Sequence, residues 1–224
     1  MLVDIHAHTS PHSDDSTLGP DDLVQSARDA GLGGVCVTDH DHFWTREEAE
    51  ALSRRHDFPV LPGCEVNTDG GHVLVFGLDT YVFGMHKVDY LGRLVAEAGG
   101  VMVAAHPHRR RLLTGQDHSP QDVESMLEAA AADPLLGMCH AVETLNGRAT
   151  DREREFSREL ARRLHKPGIG GSDCHHPGQV GAAATRFHCP ISSVRELVRE
   201  IRAGRFEAVA PAMSAHTGPT GARR

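Results

Sequence analysis

The chain has 224 residues, 39% of them hydrophobic, so it can bury a full core and falls within the size of one large α/β domain. It contains no apolar run of about 18 residues and no basic start followed by an apolar stretch, so neither a membrane span nor a secretory signal is expected. With 23 Lys and Arg against 31 Asp and Glu, its formal charge of −8 disfavours broad electrostatic binding to duplex DNA.

In chain order, short apolar runs at 2–6, 34–38, 59–66, 72–78, 101–105, 139–145 and 168–172 predict strands buried on both faces, as parallel sheets require. Helix-like segments fall between several of them. Pro20-Asp21-Asp22 opens the first, with proline and acids in the first turn. Thr45 followed by Glu48 predicts a capping box before a helix over 46–55. Further helices are predicted over 88–98, 120–132, 150–165 and 192–203, and residues 211–224 read as a flexible C-terminal tail after a single domain over 1–210. About seven strands alternating with helices, and no GxGxxG or GxxxxGK[ST] loop, favour a barrel-like α/β fold over an open doubly wound sheet.

Seventeen histidines are the unusual count, and many stand at predicted strand ends. Asp4-Ile5-His6-Ala7-His8-Thr9 places two histidines at alternate positions, and Gly171-Ser172-Asp173-Cys174-His175 does the same for an acid and a histidine. Side chains two apart on a strand project together, and neutral imidazole with carboxylate suits a divalent zinc, manganese or iron ion. His40, Glu65 and His106 also fall at strand C-termini, the face where α/β barrels gather their active sites. Asp4 reads equally well as a strand-end cap or as an acid orienting a ligand. Asp39 is expected to point away from the cluster, and Asp41, His42, His12 and His176 read as loop residues. Glu143 and Asn146 suit either the site or strand-end hydrogen bonding. The five cysteines form no CxxC, so a reducing cytoplasm is expected, with Cys36, Cys64 and Cys174 as core fillers.

Five ordered motifs resemble the polymerase and histidinol phosphatase (PHP) family: DxHxHT at 4–9, TDH at 38–40, Glu65 with His72, AHP at 105–107 and GSDxH at 171–175. The resemblance spans essentially residues 1–210 and implies a distorted (β/α)7 barrel holding two or three divalent ions. It implies that His6, His8, Glu65 and Asp173 hold the first ion, and that Glu65 bridges to a second held by His72 and His106. His40 and His175 would hold the third with an acid or histidine from the loop after His8. Asp14 matches the Ser-Asp-x-Ser pattern of that loop, and Asp15 is the alternative.

His108-Arg109-Arg110-Arg111 follows the AHP motif and resembles the AHPxR stretch of several phosphoesterase members. Guanidinium pairs bidentately with phosphate oxygens, so Arg109 is the expected catalytic anion contact, with His108 and Arg110 beside it in substrate binding. Phe43-Trp44 suits either ring stacking or a hydrophobic anchor. The resulting expectation is a metal-dependent phosphatase that hydrolyses a small phosphate monoester, a phosphorylated metabolite or nucleotide, through a hydroxide shared between ions. Two alternatives stand beside it: a phosphodiesterase or exonuclease on short oligonucleotides, and a non-catalytic metal-binding regulatory module. The sequence leaves the oligomeric state open.

Overall fold

A computed structural model describes residues 1–109, 111–112 and 117–211. Strands and helices alternate only in part: β1 (Leu2–Asp4), α1 (Pro20–Asp29), β2 (Gly34–Val37), α2 (Arg46–His56), β3 (Val60–Pro62), β4 (Cys64–Asn67), β5 (His72–Phe76), α3 (Val88–Glu97) and β6 (Val101–Ala104). There follow α4 (Pro120–Ala131), α5 (Pro134–Met138), β7 (Ala141–Asn146), α6 (Asp151–Arg163), β8 (Gly168–Gly171), β9 (Ala184–Phe187), α7 (Val194–Ala203) and β10 (Phe206–Val209). Among the described residues no helix is long and apolar enough to cross a membrane.

The strands form two five-stranded sheets, ordered β10-β9-β1-β2-β3 and β4-β5-β6-β7-β8. β1, β2 and β3 run parallel, as do β6, β7 and β8, while β5 is antiparallel to both neighbours. The fold is therefore mixed α/β, and the described residues do not form the closed seven-stranded barrel that the alternation predicts. The two sheets touch through isolated parallel bridges, Ala7 with Cys174 and His40 with Glu65, at the ends of β1, β8 and β2.

The expected 59–66 strand is divided at Gly63. A Cβ there would lie 2.5 Å from the Phe76 ring and 3.2 Å from Thr38, so the backbone passes where only glycine fits, and the chain changes sheet. β9 and β10 were not expected. They are four residues each, and pairing with β1 and with one another fixes them rather than an apolar pattern of their own. Thr45 does form its capping box with Glu48, and Ser119 and Thr150 cap α4 and α6 in the same way. One buried cluster joins both sheets to α7 through Val3, Ile5, Phe76, Val103, Ile169 and Leu197. Of the expected tail, residues 212–224 lie outside the described residues.

Asp4 ties the beginning of the chain to its distant end. Its Oδ1 accepts the backbone N–H of Ser172 at 2.9 Å and of His6 at 3.2 Å, and its Oδ2 accepts Gly181 N–H at 3.4 Å. Burial pushes its pKa up to about 6 despite these donors. Asp4→Ala strands three buried N–H groups and should cost roughly 2–4 kcal/mol of stability. Urea denaturation of the metal-free protein checks this. A loss below 1 kcal/mol would show that other contacts hold the two segments together.

Candidate metal centre

Eight side chains from six segments converge where the two sheets bridge: His6, His8, His40, Glu65, His72, His106, Asp173 and His175. Four overlapping triads of their nitrogen and oxygen atoms lie within 4.8 Å of one another: His8-His40-His175, His6-His106-Asp173, His6-His8-Glu65 and His40-Glu65-His72. The alternation along the chain after β1 points His6 and His8 together, with their Nε2 atoms 3.0 Å apart. Two members leave their strands in left-handed backbone, His106 at φ 27° and Asp173 at φ 55°. Such conformations cost about 1–3 kcal/mol each and persist where the surroundings impose them. Here each turns a side chain off its strand and into the cluster.

Glu65 sits at the centre and is fully buried. Its Oε1 lies 2.9 Å from His72 Nδ1 and 2.8 Å from His106 Nε2. Its Oε2 faces a different set, with His6 and His8 Nε2 at 3.3 and 3.2 Å and His40 Nδ1 at 3.2 Å. Asp173 Oδ1 lies 3.7 Å from His6 Nε2 and 3.4 Å from His8 Nε2. Four ligands about 2.1 Å from a common tetrahedral centre stand about 3.4 Å apart, so these separations match the edges of one coordination shell. Glu65 Oε2, Asp173 Oδ1, His40 Nδ1 and His175 Nε2 are buried without a hydrogen-bond partner among the described residues. Unpaired buried lone pairs are costly, and four of them in one cluster fit a divalent cation.

The loop after His8 brings Asp15 to the third group of ligands. Both loop acids are exposed, but Asp15 is the one that reaches the ligands: its Oδ2 lies 3.0 Å from His175 Nε2 and 3.7 Å from His40 Nε2. The reason lies in Ser13, which is buried and bonded through Oγ to Asp39 at 2.7 Å. That anchor, with Ser16 N–H on Ser13 O at 3.1 Å, sets the residue before Ser16 against His175 at the rim of the cluster.

Two buried carboxylates position the ligands. Glu143 Oε1 is 3.0 Å from His6 Nδ1, and Oε2 accepts His106 N–H at 2.7 Å and Asn146 Nδ2 at 3.1 Å. A carboxylate on the far nitrogen fixes the tautomer and ring orientation of a ligating histidine. Asp39 points away from the cluster as expected, but it is a hub: Thr9 Oγ1, Ser13 Oγ and Trp44 Nε1 donate to it at 2.6, 2.7 and 2.7 Å. Trp44 is thus held in the core and offers no stacking face. Its neighbour His42 stacks on His12 with ring centroids 3.8 Å apart, outside the ligand cluster.

The arginine run divides. Arg109 donates to Asp173 Oδ2 and keeps about a third of its side chain exposed. Arg111 turns to Asp133, and Arg110 lies outside the described residues. His108, expected at the substrate, is buried against α6 with Nδ1 3.3 Å from Ser157 Oγ, and burial pushes its pKa down to about 4. It is the first turn after His106 that directs this ring inward rather than towards the cleft.

A family model for the PHP-associated region matches residues 151–206. A protein of Methanocaldococcus jannaschii is 25% identical over 118 residues, which cover 48% of this chain and 68% of that one. A candidate metal-dependent phosphoesterase of Bifidobacterium adolescentis shares the fold, with a TM-score of 0.58, 21% identity, and 90% and 96% of the two chains covered. So does a two-domain Bacteroides vulgatus protein containing a predicted PHP-like metal-dependent phosphoesterase, with a TM-score of 0.65 and 19% identity. That match covers 93% of this chain but 64% of the other. An amidohydrolase of Chromobacterium violaceum, with sulfate bound and no metal, gives 0.61 at 18% identity over 94% and 98% of the two chains. The matched region and the shared fold are those of PHP-like proteins.

Electrostatics separate the histidines of this cluster into two kinds. Burial disfavours a charged His6 or His8, but Glu143, Glu65 and Asp173 outweigh it for His6, and Asp173 and Glu65 do so for His8, so both are held above the usual range. Burial instead pushes His40 and His175 down, leaving them neutral at pH 7. Burial opposes the Glu65 charge, yet His6, His106 and His72 hold its pKa well below the ordinary carboxylate range. Protons on His6 and His8 must therefore leave when a cation enters, and affinity should rise as pH rises through neutrality. Titration calorimetry with Mn²⁺ in buffers of different ionisation enthalpy should show net proton release at pH 7 that diminishes as the pH is raised. Proton-neutral binding at pH 7 would contradict the assignment of these two rings. Glu65→Gln removes the shared charge and should lower bound metal by at least one ion per chain, read by elemental analysis; full metal content in that variant would mean Glu65 bridges nothing.

Proposed function

We propose that this chain is a PHP-family protein and a metal-dependent hydrolase of small phosphate monoesters. The observation that carries this reading is the two-sided Glu65, which presents one oxygen to His72 and His106 and the other to His6, His8 and His40. Divalent ions held by these residues would supply Lewis acidity and a nucleophilic water at neutral pH. The protein's own contribution is rigidity and charge. Glu143 keeps the His6 ring oriented, Asp39 fixes the loop that carries Ser13 and Asp15, and neutral imidazoles leave the cluster cationic when loaded, despite the acidic chain.

Anion binding has a candidate beside the cluster. Arg109 borders a shallow recess of about 50 Å³ with His72, His106 and Pro107, where its guanidinium can hold a nonbridging phosphate oxygen while it steadies Asp173. The sulfate in the Chromobacterium violaceum protein supports an oxyanion as a ligand of this fold. A larger cavity of about 590 Å³ lies between α2 and the start of α7 and holds none of the ligand residues.

A panel of phosphomonoesters, short oligonucleotides and simple amides, run with Mn²⁺, Zn²⁺ and Fe²⁺, tests the proposal. Turnover of monoesters that chelation abolishes is expected, with little release of mononucleotides from oligomers. Arg109→Ala should lower kcat/KM for monoesters by about 10- to 150-fold, the worth of one charged hydrogen bond, with metal content unchanged. Turnover of amides alone would refute the substrate class, and no turnover of any member by a metal-loaded protein would favour a regulatory metal-binding module.

A further inference from the structure

The turn after β7 carries a guanidinium that none of the sequence motifs contains. Asn146, Gly147 and Arg148 leave the strand tight against the end of β8: Gly147 N–H donates to Gly171 O at 3.0 Å, and a Cβ at Gly147 would fall 2.5 Å from Ser172 O. The Asn146 amide fixes the turn from both of its ends. Its Oδ1 accepts Arg148 N–H at 2.9 Å, while its Nδ2 donates to Glu143 Oε2 at 3.1 Å and to Asp173 Oδ2 at 3.2 Å. The Arg148 backbone is thereby registered to the ligand cluster. Its side chain stays 43% exposed, with Nη1 3.2 Å from His175 Nδ1 and 3.8 Å from Asp173 Oδ1.

Neither of those neighbours can serve as its acceptor once the cluster is engaged. His175 Nε2 can ligate a cation only as a lone pair, which places the ring proton on Nδ1. Nδ1 then donates to Asp173 O, 2.9 Å away, and has nothing left to offer Arg148. Asp173 Oδ1 is the oxygen that faces His6 and His8 without a hydrogen-bond partner, so it belongs to the same ligand shell. Arg109 is placed differently, because its acceptor is Asp173 Oδ2. A partly exposed arginine is therefore left with donors and no acceptor among the described residues at the rim of a cationic site, the situation in which an anion's oxygens complete the contact.

Resting on the phosphate-ester reading, we propose that Arg148 is a second substrate-binding guanidinium, which with Arg109 flanks Asp173 and selects a terminal phosphate over an internal diester. A terminal phosphate offers three nonbridging oxygens, enough for two arginines and the cluster, whereas a diester offers two. The test uses the full chain loaded with Mn²⁺, titrated calorimetrically with inorganic phosphate and with dimethyl phosphate, beside metal content and thermal melting. Arg148→Met should bind phosphate about 10- to 100-fold more weakly, the loss expected for a charge-assisted hydrogen bond. Its preference for phosphate over dimethyl phosphate should narrow, and its metal content and melting temperature should match those of the unaltered chain. Arg148→Lys should recover part of the affinity, since it keeps the charge without the planar fork. Phosphate binding by Arg148→Met equal to the unaltered chain would overturn the proposal and leave the phosphate-ester reading intact. Loss of bound metal in both variants would overturn it in favour of a structural role. An unaltered, loaded chain that binds no phosphate would overturn this inference and that reading together.

Discussion

A carboxylate without access to water, ringed by imidazole nitrogens, is the constraint on which the rest of this structure depends. Glu65 is buried and one of its oxygens lacks any hydrogen bond, as does the buried Oδ1 of Asp173 nearby. A fold gains nothing from such an arrangement by itself, because unpaired buried acceptors and crowded basic rings both destabilise it. The arrangement becomes favourable when a cation accepts the converging lone pairs. In that sense the core around β1, β4 and β8 is built for an ion first and for packing second.

Much of the surrounding polar structure holds that arrangement still. Glu143 orients His6 and pins the backbone of His106, while Asp39 gathers Thr9, Ser13 and Trp44 beneath the loop that carries Asp15. Asp4 joins the segment after β1 to the segment after β8, bringing residues near the two ends of the chain to one site. The left-handed backbone at His106 and Asp173 shows the same priority. Strain at two ligands is tolerated because hydrogen bonds on both sides over-determine their positions.

The parts legible from sequence are those that follow from local spacing. His6 with His8, and Asp173 with His175, declare themselves by alternation, and most helices by their caps and breakers. The parts that were not legible depend on contacts between distant segments. Whether Asp14 or Asp15 reaches the ligand histidines is decided by the anchoring of Ser13 on Asp39, 26 positions away. Arg148 reaches the cluster only because Gly147 allows the turn to press against Ser172. His108 looked like a neighbour of the phosphate contact in sequence, but one turn of backbone sends its ring into α6. The same limit applies to the sheets: Gly63 divides a run that reads as one strand, and β9 exists through pairing with β1, and β10 through pairing with β9, rather than through their own residues.

The most direct measurement is crystallography of the protein soaked with Mn²⁺, with anomalous differences collected above and below the metal absorption edge. The account predicts at least two anomalous peaks within the cluster, with the two oxygens of Glu65 on different ions. A single ion, or ions bound without Glu65, would contradict it.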